Sequence, residues 1–389
     1  MIYLDNAAST AVHPEVVKEM LPYFDVQYGN PSSIHQFGRK AKNAIQKARK
    51  QVAALIGAEP SEITFTSGGT ESNNCIFYGC PKFQGNKFEL NHFITSSIEH
   101  DAVLEPLKEF EENGVQVTYL PVDEYGMVNP DDITKSVNEQ TAIVSIMLAN
   151  NEVGTIQPIK EISKICTKYQ IPLHTDAVQA VGKIPINVKE LGVDALSISS
   201  HKINGPKGVG ALFIKKGFTV AANIVGGGQE NGMRSGTENV ASIVGFGKAC
   251  EIAKDKLSDN ISHFQTLHSS MLSRIVKEIS YVKSNGHPEK RIFNNIHLTF
   301  LGVNGEDLII KLDEHGIAAS TGSACSVHTQ KASHVLKAMG FNHEQITGSL
   351  RISFGYANTL DEVVQTVKVL KKIIAELRSI SPYKTKYNF

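Results

Sequence analysis

Residues 141–148 read Thr-Ala-Ile-Val-Ser-Ile-Met-Leu, a largely apolar run that Asn150-Asn151-Glu152 follows after a single alanine. A continuous apolar run of this length is typical of a strand buried on both faces, as in a parallel sheet covered by helices. The polar side chains after it would lie at the mouth of the sheet, where open α/β sheets bind ligands. The run therefore predicts a buried central strand with a polar site at its end.

Strands and helices alternate on both sides of this run. Further strands are predicted at 62–66, 93–96, 115–120, 172–175, 195–199 and 209–214, and helices at 101–112 and 159–169. This alternation predicts a mostly parallel or mixed sheet with helices on both faces.

The pattern changes after Ser242 to long helices with few strands. Helices are predicted at 243–256, 261–279, 306–315 and 360–380, and strands at 295–300 and 350–353. Because 389 residues are too many for one small core, we expect two α/β domains. Residues 12–256 would form the large one, and residues 1–11 with 257–389 the small one.

Composition favours a small-molecule partner. Lys+Arg and Asp+Glu both number 39, so the chain has no electrostatic footprint for direct binding of nucleic acid or an anionic membrane. No apolar run is long enough to cross a bilayer and no leader precedes the first strand, so we expect a cytoplasmic protein. The five cysteines match neither a disulfide framework nor a zinc site, and no stable metal site is expected.

Three polar groups follow three separate predicted strands. They are the loop Thr66–Ser72, Asp176, and Lys202 in Ser199-Ser200-His201-Lys202. A glycine-rich loop before a helix can cradle a phosphate, a carboxylate can keep a pyridinium nitrogen protonated, and a lysine can form a Schiff base. Pyridoxal 5'-phosphate (PLP) requires these three groups.

Each group has a more ordinary interpretation when it is taken alone. The loop and Asp176 could be helix caps, Lys202 a solvated loop residue, and His100 a structural histidine rather than one that stacks on a cofactor. The joint order along the chain favours one cofactor site.

Two further residues suit a substrate site. Arg351, on the strand predicted at 350–353, is a natural bidentate partner for an α-carboxylate, although a structural salt bridge is the common alternative. Cys325 follows Thr321-Gly322-Ser323-Ala324, and small residues on both sides indicate an exposed loop at about 318–333. A cysteine on such a loop suggests reactivity, and His328 could help to hold its thiolate.

With these residues in place, the chain resembles the cysteine desulfurases of the NifS/IscS type, in the class-V aminotransferase superfamily. The resemblance runs nearly end to end and rests on these stretches: 3–8, 29–33, 66–71, 99–100, 150–152, 176–179, 199–202, 234–237, 322–325 and the strand of Arg351. It implies the PLP-dependent transferase fold, aspartate-aminotransferase-like (fold type I), with a large mixed-sheet domain and a smaller α/β domain.

The resemblance also implies residue roles. Cofactor-binding residues would be Gly69, Thr70, His100, Asn151, Asp176, Gln179, Ser199, Ser200, His201 and Lys202, with Thr237 reaching the phosphate from the second subunit of a homodimer. Asp176 would pair with the ring nitrogen and Gln179 with the ring hydroxyl. Asn151 and Arg351 would bind the substrate carboxylate. Lys202, His100 and Cys325 would be catalytic.

The implied reaction converts L-cysteine to L-alanine and leaves the sulfur on Cys325 as a persulfide. The sulfur would pass to an acceptor or scaffold protein for Fe–S cluster assembly or tRNA thiolation, with Cys325 a candidate transient Fe–S ligand. Residues 326–336 depart from the usual family pattern, which bears on the acceptor that the loop meets. The alternatives are a selenocysteine lyase, another class-V aminotransferase or lyase, and a catalytically inert scaffold protein.

Overall fold

The structure is a computed structural model that describes residues 1–80, 91–322 and 332–387. Cys325 and most of the loop predicted at 318–333 therefore lie outside the described residues. Within them the strands are β1 (Ile2–Tyr3), β2 (Ile63–Thr66), β3 (His92–Ser96), β4 (Gln116–Leu120), β5 (Thr141–Ser145), β6 (Leu173–Asp176), β7 (Ala195–Ser199), β8 (Gly210–Ile214), β9 (Val282–Asn285), β10 (Asn295–Phe300), β11 (Ile317–Ala318) and β12 (Ser349–Ser353).

The α-helices of the described residues join these strands. They are α1 (Pro14–Met20), α2 (Pro22–Asp25), α3 (Gln36–Ile56), α4 (Gly69–Gly79), α5 (Asp101–Glu112), α6 (Pro130–Ser136), α7 (Ile159–Tyr169), α8 (Val188–Leu191), α9 (Val240–Asp255), α10 (Leu257–Glu278), α11 (Gly305–Glu314), α12 (His334–Ala338), α13 (His343–Thr347), α14 (Leu360–Ser379) and α15 (Lys384–Tyr387). None of them is long and apolar enough to cross a membrane.

A seven-stranded sheet forms the centre of the large domain. Its order is β2-β8-β7-β6-β5-β3-β4, and β8 runs antiparallel to both of its neighbours while the other pairs are parallel. Neighbouring residues of one strand enter different cores, because side chains alternate between the faces of a sheet. Phe93 packs with α4 and α5, whereas Ile94 packs with α3, α7 and α9. The predicted mixed sheet with helices on both faces is confirmed.

The central apolar run is buried as predicted, but the prediction that it is one strand to Leu148 was wrong. The strand ends at Ser145, and beyond it the chain still bonds β6, whereas Met147 N donates to the Glu99 carboxylate and not to β3. Ile146 N donates to His174 O at 3.2 Å, and Leu148 N donates to Asp176 O at 2.8 Å. Because these one-sided bonds hold the chain against β6, Asn150–Glu152 still reaches the sheet's carboxyl edge.

Helix α3, which the pattern of the sequence did not single out, covers one face of the sheet together with α9. It begins where the His35 ring accepts a hydrogen bond from Gly38 N, and it ends at Gly57, whose φ of 70° is left-handed. A Cβ on Gly247 of α9 would lie 2.5 Å from Ala48 Cα, so only glycine permits this close approach of the two helices.

The smaller sheet has the order β12-β10-β9 and is antiparallel. Ile2 and Leu4 of the N-terminal segment belong to its hydrophobic core, together with residues of α10, α11 and α14. Strand β1 pairs in parallel with β11, which holds the N-terminus on this part of the molecule. The N-terminal segment therefore packs first in the core of the small sheet and then continues to the large sheet.

A buried ion pair ties α3 to the edge of the large sheet. Both Nη atoms of Arg49 donate to the Glu230 carboxylate at 2.7 Å, and Phe65 N donates to the same carboxylate at 2.9 Å. We predict that Arg49→Met lowers the free energy of unfolding by about 3–5 kcal/mol, since it leaves a buried carboxylate without its counter-charge. Urea denaturation measures the change.

The double variant Arg49→Met/Glu230→Gln is the matched control. It leaves no buried charge, so it should be less destabilised than Arg49→Met alone. A double variant that is as unstable as the sum of the single variants would contradict this account.

Candidate active site

The phosphate-loop prediction falls at the N-terminus of α4. A Cβ on Gly69 would lie 2.8 Å from Val178 Cγ2 and 3.6 Å from Ser199 Cβ, so Gly69 lies directly between the ends of β6 and β7. A Cβ on Gly210 would lie 2.7 Å from Gly68 Cα, which leaves no room for a side chain behind the loop. The glycines therefore bring a helix N-terminus, with its positive dipole end, to the carboxyl edge of the sheet.

Asp176 is the last residue of β6 and is 7% exposed. Its Oδ2 accepts from Asn73 Nδ2 at 2.7 Å, and its Oδ1 accepts from Val178 N at 2.9 Å. The carboxylate is thus oriented from both sides by neutral donors. It can serve as the charged partner of a protonated ring nitrogen.

Lys202 ends a short 3-10 turn, Ser200–Lys202, directly after β7. Its Nζ donates to Ala7 O and to Ala8 O, both at 2.7 Å. Gln179 Nε2 donates to the same Ala7 carbonyl at 2.9 Å. The structure therefore brings Lys202 and Gln179 together around one main-chain oxygen.

His201 lies next to that lysine and is joined to the N-terminal segment. Thr10 Oγ1 donates to His201 O at 2.8 Å, and His201 Nδ1 is 3.2 Å from Ser9 Oγ. Burial, with the charges of Lys202, Lys207 and Lys183, lowers the pKa of His201 to about 4. His201 is therefore neutral at pH 7 and can contribute a hydrogen bond but not a charge.

Residues 5–10, which we term the N-terminal strap, connect the two sheets across the site. At one end Asp5 Oδ1 accepts from Arg351 Nη2 at 2.9 Å, and Ala7 N donates to Ser353 Oγ at 2.8 Å. At the other end the strap carbonyls hold Lys202 and Gln179. The strap thus places strand β12, which carries Arg351, beside the large sheet.

Arg351 is 2% exposed and lies close to Asn151. Its Nη1 donates to Asn151 O at 3.1 Å and to Gly322 O at 3.0 Å. The ion pair with Asp5 is the structural salt bridge weighed as the alternative role. Its Nε is buried without a hydrogen-bond partner among the described residues. The guanidinium therefore lies next to the last described residue before the loop of Cys325.

His100 caps α5, since its Nδ1 accepts from Ala102 N at 3.0 Å. The preceding residue, Glu99, is fully buried and accepts from Ser96 Oγ at 2.6 Å and from Met147 N at 2.9 Å. Burial, reinforced by the Asp176 carboxylate, raises the pKa of Glu99 to about 8. Glu99 is therefore largely protonated at neutral pH.

Three predicted residues have surroundings that do not by themselves assign them to the cofactor site. Thr70 and Thr237 are exposed, and Thr237 lies in a separate cavity of about 290 Å³ beside α2. Ser200 is buried, and its Oγ lies 2.0 Å from where a Cβ on Gly205 would stand. Its side chain therefore packs on the following turn. Their places among the cofactor-binding residues stay predictions.

The four described cysteines, Cys75, Cys80, Cys166 and Cys250, are buried, and no disulfide joins them. Burial raises the pKa of Cys75 to about 11 and of Cys166 to about 12, and it also raises the pKa of Cys250. These thiols are poor nucleophiles.

The donor set suits PLP. The N-terminus of α4 provides backbone donors and a favourable dipole for a phosphate, Asp176 provides an oriented carboxylate, and Lys202 provides an amine at the adjacent strand end. A Cβ on Gly68 would meet nothing within 4 Å, so the backbone just before α4 is open to the close approach of a phosphate.

Sequence reasoning missed several residues of this site. Asn73 lies one helical turn after Gly69, and this spacing is the signal that places it on the same face of α4. Lys183 follows Gln179 by four residues and donates to its Oε1 at 2.8 Å. The carbonyls of Ala7 and Ala8 gave no signal, because main-chain acceptors carry no residue preference.

Comparisons with known proteins agree with this geometry. The Aminotransferase class-V family model matches residues 2–366. A cysteine desulfurase IscS from Dictyoglomus turgidum is 49% identical, over 99% of this chain and 98% of the relative. Another, from Methanosarcina thermophila, is 48% identical, over 98% of this chain and 94% of the relative.

Solved structures give the same result. A NifS-like protein superposes with a TM-score of 0.90 at 40% identity, covering 96% of this chain and 99% of the other. A protein described as SspA in complex with cysteine superposes with a TM-score of 0.80 at 35% identity, covering 91% of this chain and 99% of the other.

The fold and the strand-end site thus define a member of the class-V aminotransferase family, whose enzymes depend on PLP. Within that family the chain belongs to the cysteine desulfurases of the NifS/IscS type. The predicted family and the aspartate-aminotransferase-like α/β fold are confirmed.

The buried carboxyl of Glu99 gives a pH prediction. Its pKa is raised when the protein is folded, so its contribution to stability is full below about pH 4.5 and is lost as the pH rises through about 8. A glutamine at this position cannot ionise, so Glu99→Gln removes this loss of stability at higher pH. We predict that the variant gains up to about 1.4 kcal/mol over the wild type for each pH unit in that window.

Urea denaturation between pH 5 and pH 8 measures this difference. Glu112→Gln, an exposed change at the last residue of helix α5, is the control and should stay parallel to the wild type. A Glu99→Gln curve that is also parallel to the wild type would show that Glu99 is ionised in the folded protein.

Proposed function

We propose that this chain is a PLP-dependent cysteine desulfurase that converts L-cysteine to L-alanine and leaves the sulfur on Cys325 as a persulfide. The observation that carries the proposal is the convergence of Lys202, Asp176 and the N-terminus of α4 on one sheet edge. The N-terminal strap joins that edge to Arg351. The names of the relatives support the choice of reaction.

Each residue of the proposed site has a role that follows from its position. PLP, when bound, supplies an aldehyde that condenses with amines and a ring that accepts electrons. Asp176 would hold the ring-nitrogen proton, while Lys202 Nζ would anchor the aldehyde carbon and then carry the substrate Cα proton. Arg351, already beside Asn151 O, would bind the substrate carboxylate through its planar guanidinium.

Cys325 would take the sulfur as a nucleophile. Its Sγ forms the new S–S bond as the substrate Cβ–S bond breaks, and the three-carbon remainder is protonated and leaves as alanine. The four other cysteines are buried, which supports Cys325 as the acceptor. The rival selenocysteine lyase would share the PLP residues and would not need a thiol on the loop.

We propose a homodimer in which Thr237 completes the phosphate site of the other subunit. Two large apolar side chains that line the cavity of Thr237 are exposed, Phe24 at 64% and Tyr28 at 69%, and Val26 at 64% and Ile34 at 91% are nearby in the sequence. Exposed large apolar side chains of this kind favour a protein interface. A second copy that covers it would bury these residues and bring Thr237 to a new neighbour.

The remaining assignments are parts of the same proposal. The persulfide sulfur would pass to an Fe–S scaffold or a tRNA-thiolation acceptor in the cytoplasm. The large domain would span residues 12–256, and residues 1–11 with 257–389 would form the small one. The two separate hydrophobic cores support this division.

Removing the loop thiol separates the desulfurase from its rivals. We predict that Cys325→Ala keeps bound PLP but loses alanine release from L-cysteine, because the sulfur has no acceptor. Alanine is measured by amino-acid analysis of the holoenzyme reaction. Cys166→Ala, which removes a buried thiol, is the control and should retain activity. Alanine release from Cys325→Ala at the wild-type rate would favour a lyase.

Removing the amine tests the cofactor anchor. The wild-type holoprotein should be yellow, and Lys202→Ala should lose this visible absorbance. Absorption spectroscopy after reconstitution with PLP makes the comparison, and Lys207→Ala, an exposed lysine on the next turn, is the control. An unchanged spectrum in Lys202→Ala would exclude Lys202 as the anchor.

A further inference from the structure

Lys183 is a second lysine of the site, and its buried position is costly. It is 7% exposed, and its Nζ donates at 2.8 Å to Gln179 Oε1, an uncharged amide rather than a carboxylate. Burial, with the charges of Lys202 and Arg351, lowers the pKa of Lys183 to about 7. A buried amine without a counter-charge destabilises the fold, so its presence points to a role in the site.

The contact with Lys183 determines which way the Gln179 amide faces. The charged form of Lys183 has donors and no acceptor, and it therefore requires the amide oxygen on its side, in agreement with the Ala7 carbonyl, which can only accept. The amide nitrogen then faces the other way, and Nε2 donates to Ala7 O at 2.9 Å. That carbonyl also accepts from Lys202 Nζ at 2.7 Å. The amide nitrogen is thus held on the side where the proposed cofactor is anchored.

We infer that Lys183 is a positioning residue that holds the Gln179 amide with its N–H group toward the ring oxygen of bound PLP. This inference rests on the proposed function, which assigns that oxygen to Gln179. Without Lys183 the amide could rotate by half a turn and present Oε1 to an oxygen that carries negative charge. The hydrogen bond would then be lost or replaced by repulsion between two acceptors.

Substitutions at this position are structurally feasible. Methionine has nearly the same length and no charge, and replacing a buried charge with an apolar residue of similar volume is often neutral or stabilising. Lys183 also lines a cavity of about 490 Å³ between the two cores, with Asn294 and Phe354 on its far side. The longer side chain of arginine can extend into this space and still donate to Oε1.

The test is a double-variant cycle on the reconstituted holoenzyme. The visible absorbance of the bound cofactor is titrated with pH in the wild type, Lys183→Met, Gln179→Leu and the double variant, with Lys183→Arg as the conservative control. We expect Lys183→Met to raise the titration midpoint by about one pH unit, since one hydrogen bond to a charged oxygen changes the equilibrium about tenfold. Lys183→Arg should restore most of the shift.

The double variant separates positioning from direct electrostatics. If Lys183 acts through Gln179, Lys183→Met causes no further shift once Gln179 is leucine. An equal shift of the midpoint with Gln179 present and in the Gln179→Leu background would overturn the inference, because Lys183 would then act by its charge alone. The absence of any shift in Lys183→Met would also overturn it. A wild-type protein without the visible absorbance would overturn the proposed cofactor site as well, so the two failures are distinguishable.

Discussion

The arrangement of the site depends on hydrogen bonds to two main-chain carbonyls, those of Ala7 and Ala8. Lys202 and Gln179 both donate to the Ala7 carbonyl, and the same strap binds Arg351 through Asp5. The strap begins in the core of the small domain, where Leu4 is buried. The position of the N-terminus therefore sets the distance between the groups proposed to hold the cofactor and the group proposed to hold the substrate.

Electrostatics divides the buried polar groups of the site into charged and neutral ones. Burial raises the pKa of Glu99 to about 8 and lowers the pKa of His201 to about 4, so both are mostly neutral near pH 7. Burial and two neighbouring cations also lower the pKa of Lys183 to about 7. Because Glu99 and His201 are mostly neutral, the charged groups of the proposed site can act on a bound ligand without competing charges at these two neighbouring positions.

Much of this site could be predicted from the sequence because its residues follow predicted strands. Asp176 and Lys202 were placed correctly, since the carboxyl ends of neighbouring strands meet at one edge. The strand before Asn150 was predicted too long, because an apolar run shows burial but not where two-sided pairing ends. The strap carbonyls could not be predicted, because any residue supplies such an acceptor.

The central claim is that sulfur from L-cysteine is transferred to Cys325. The most direct measurement is mass spectrometry of the holoenzyme's cysteine peptides after brief incubation with L-cysteine, without reductant, and with L-selenocysteine in parallel. We predict one additional sulfur atom on the Cys325 peptide and none on the peptides of the four buried cysteines. Alanine formation with an unmodified Cys325 peptide, or faster turnover of selenocysteine without any adduct, would contradict this claim.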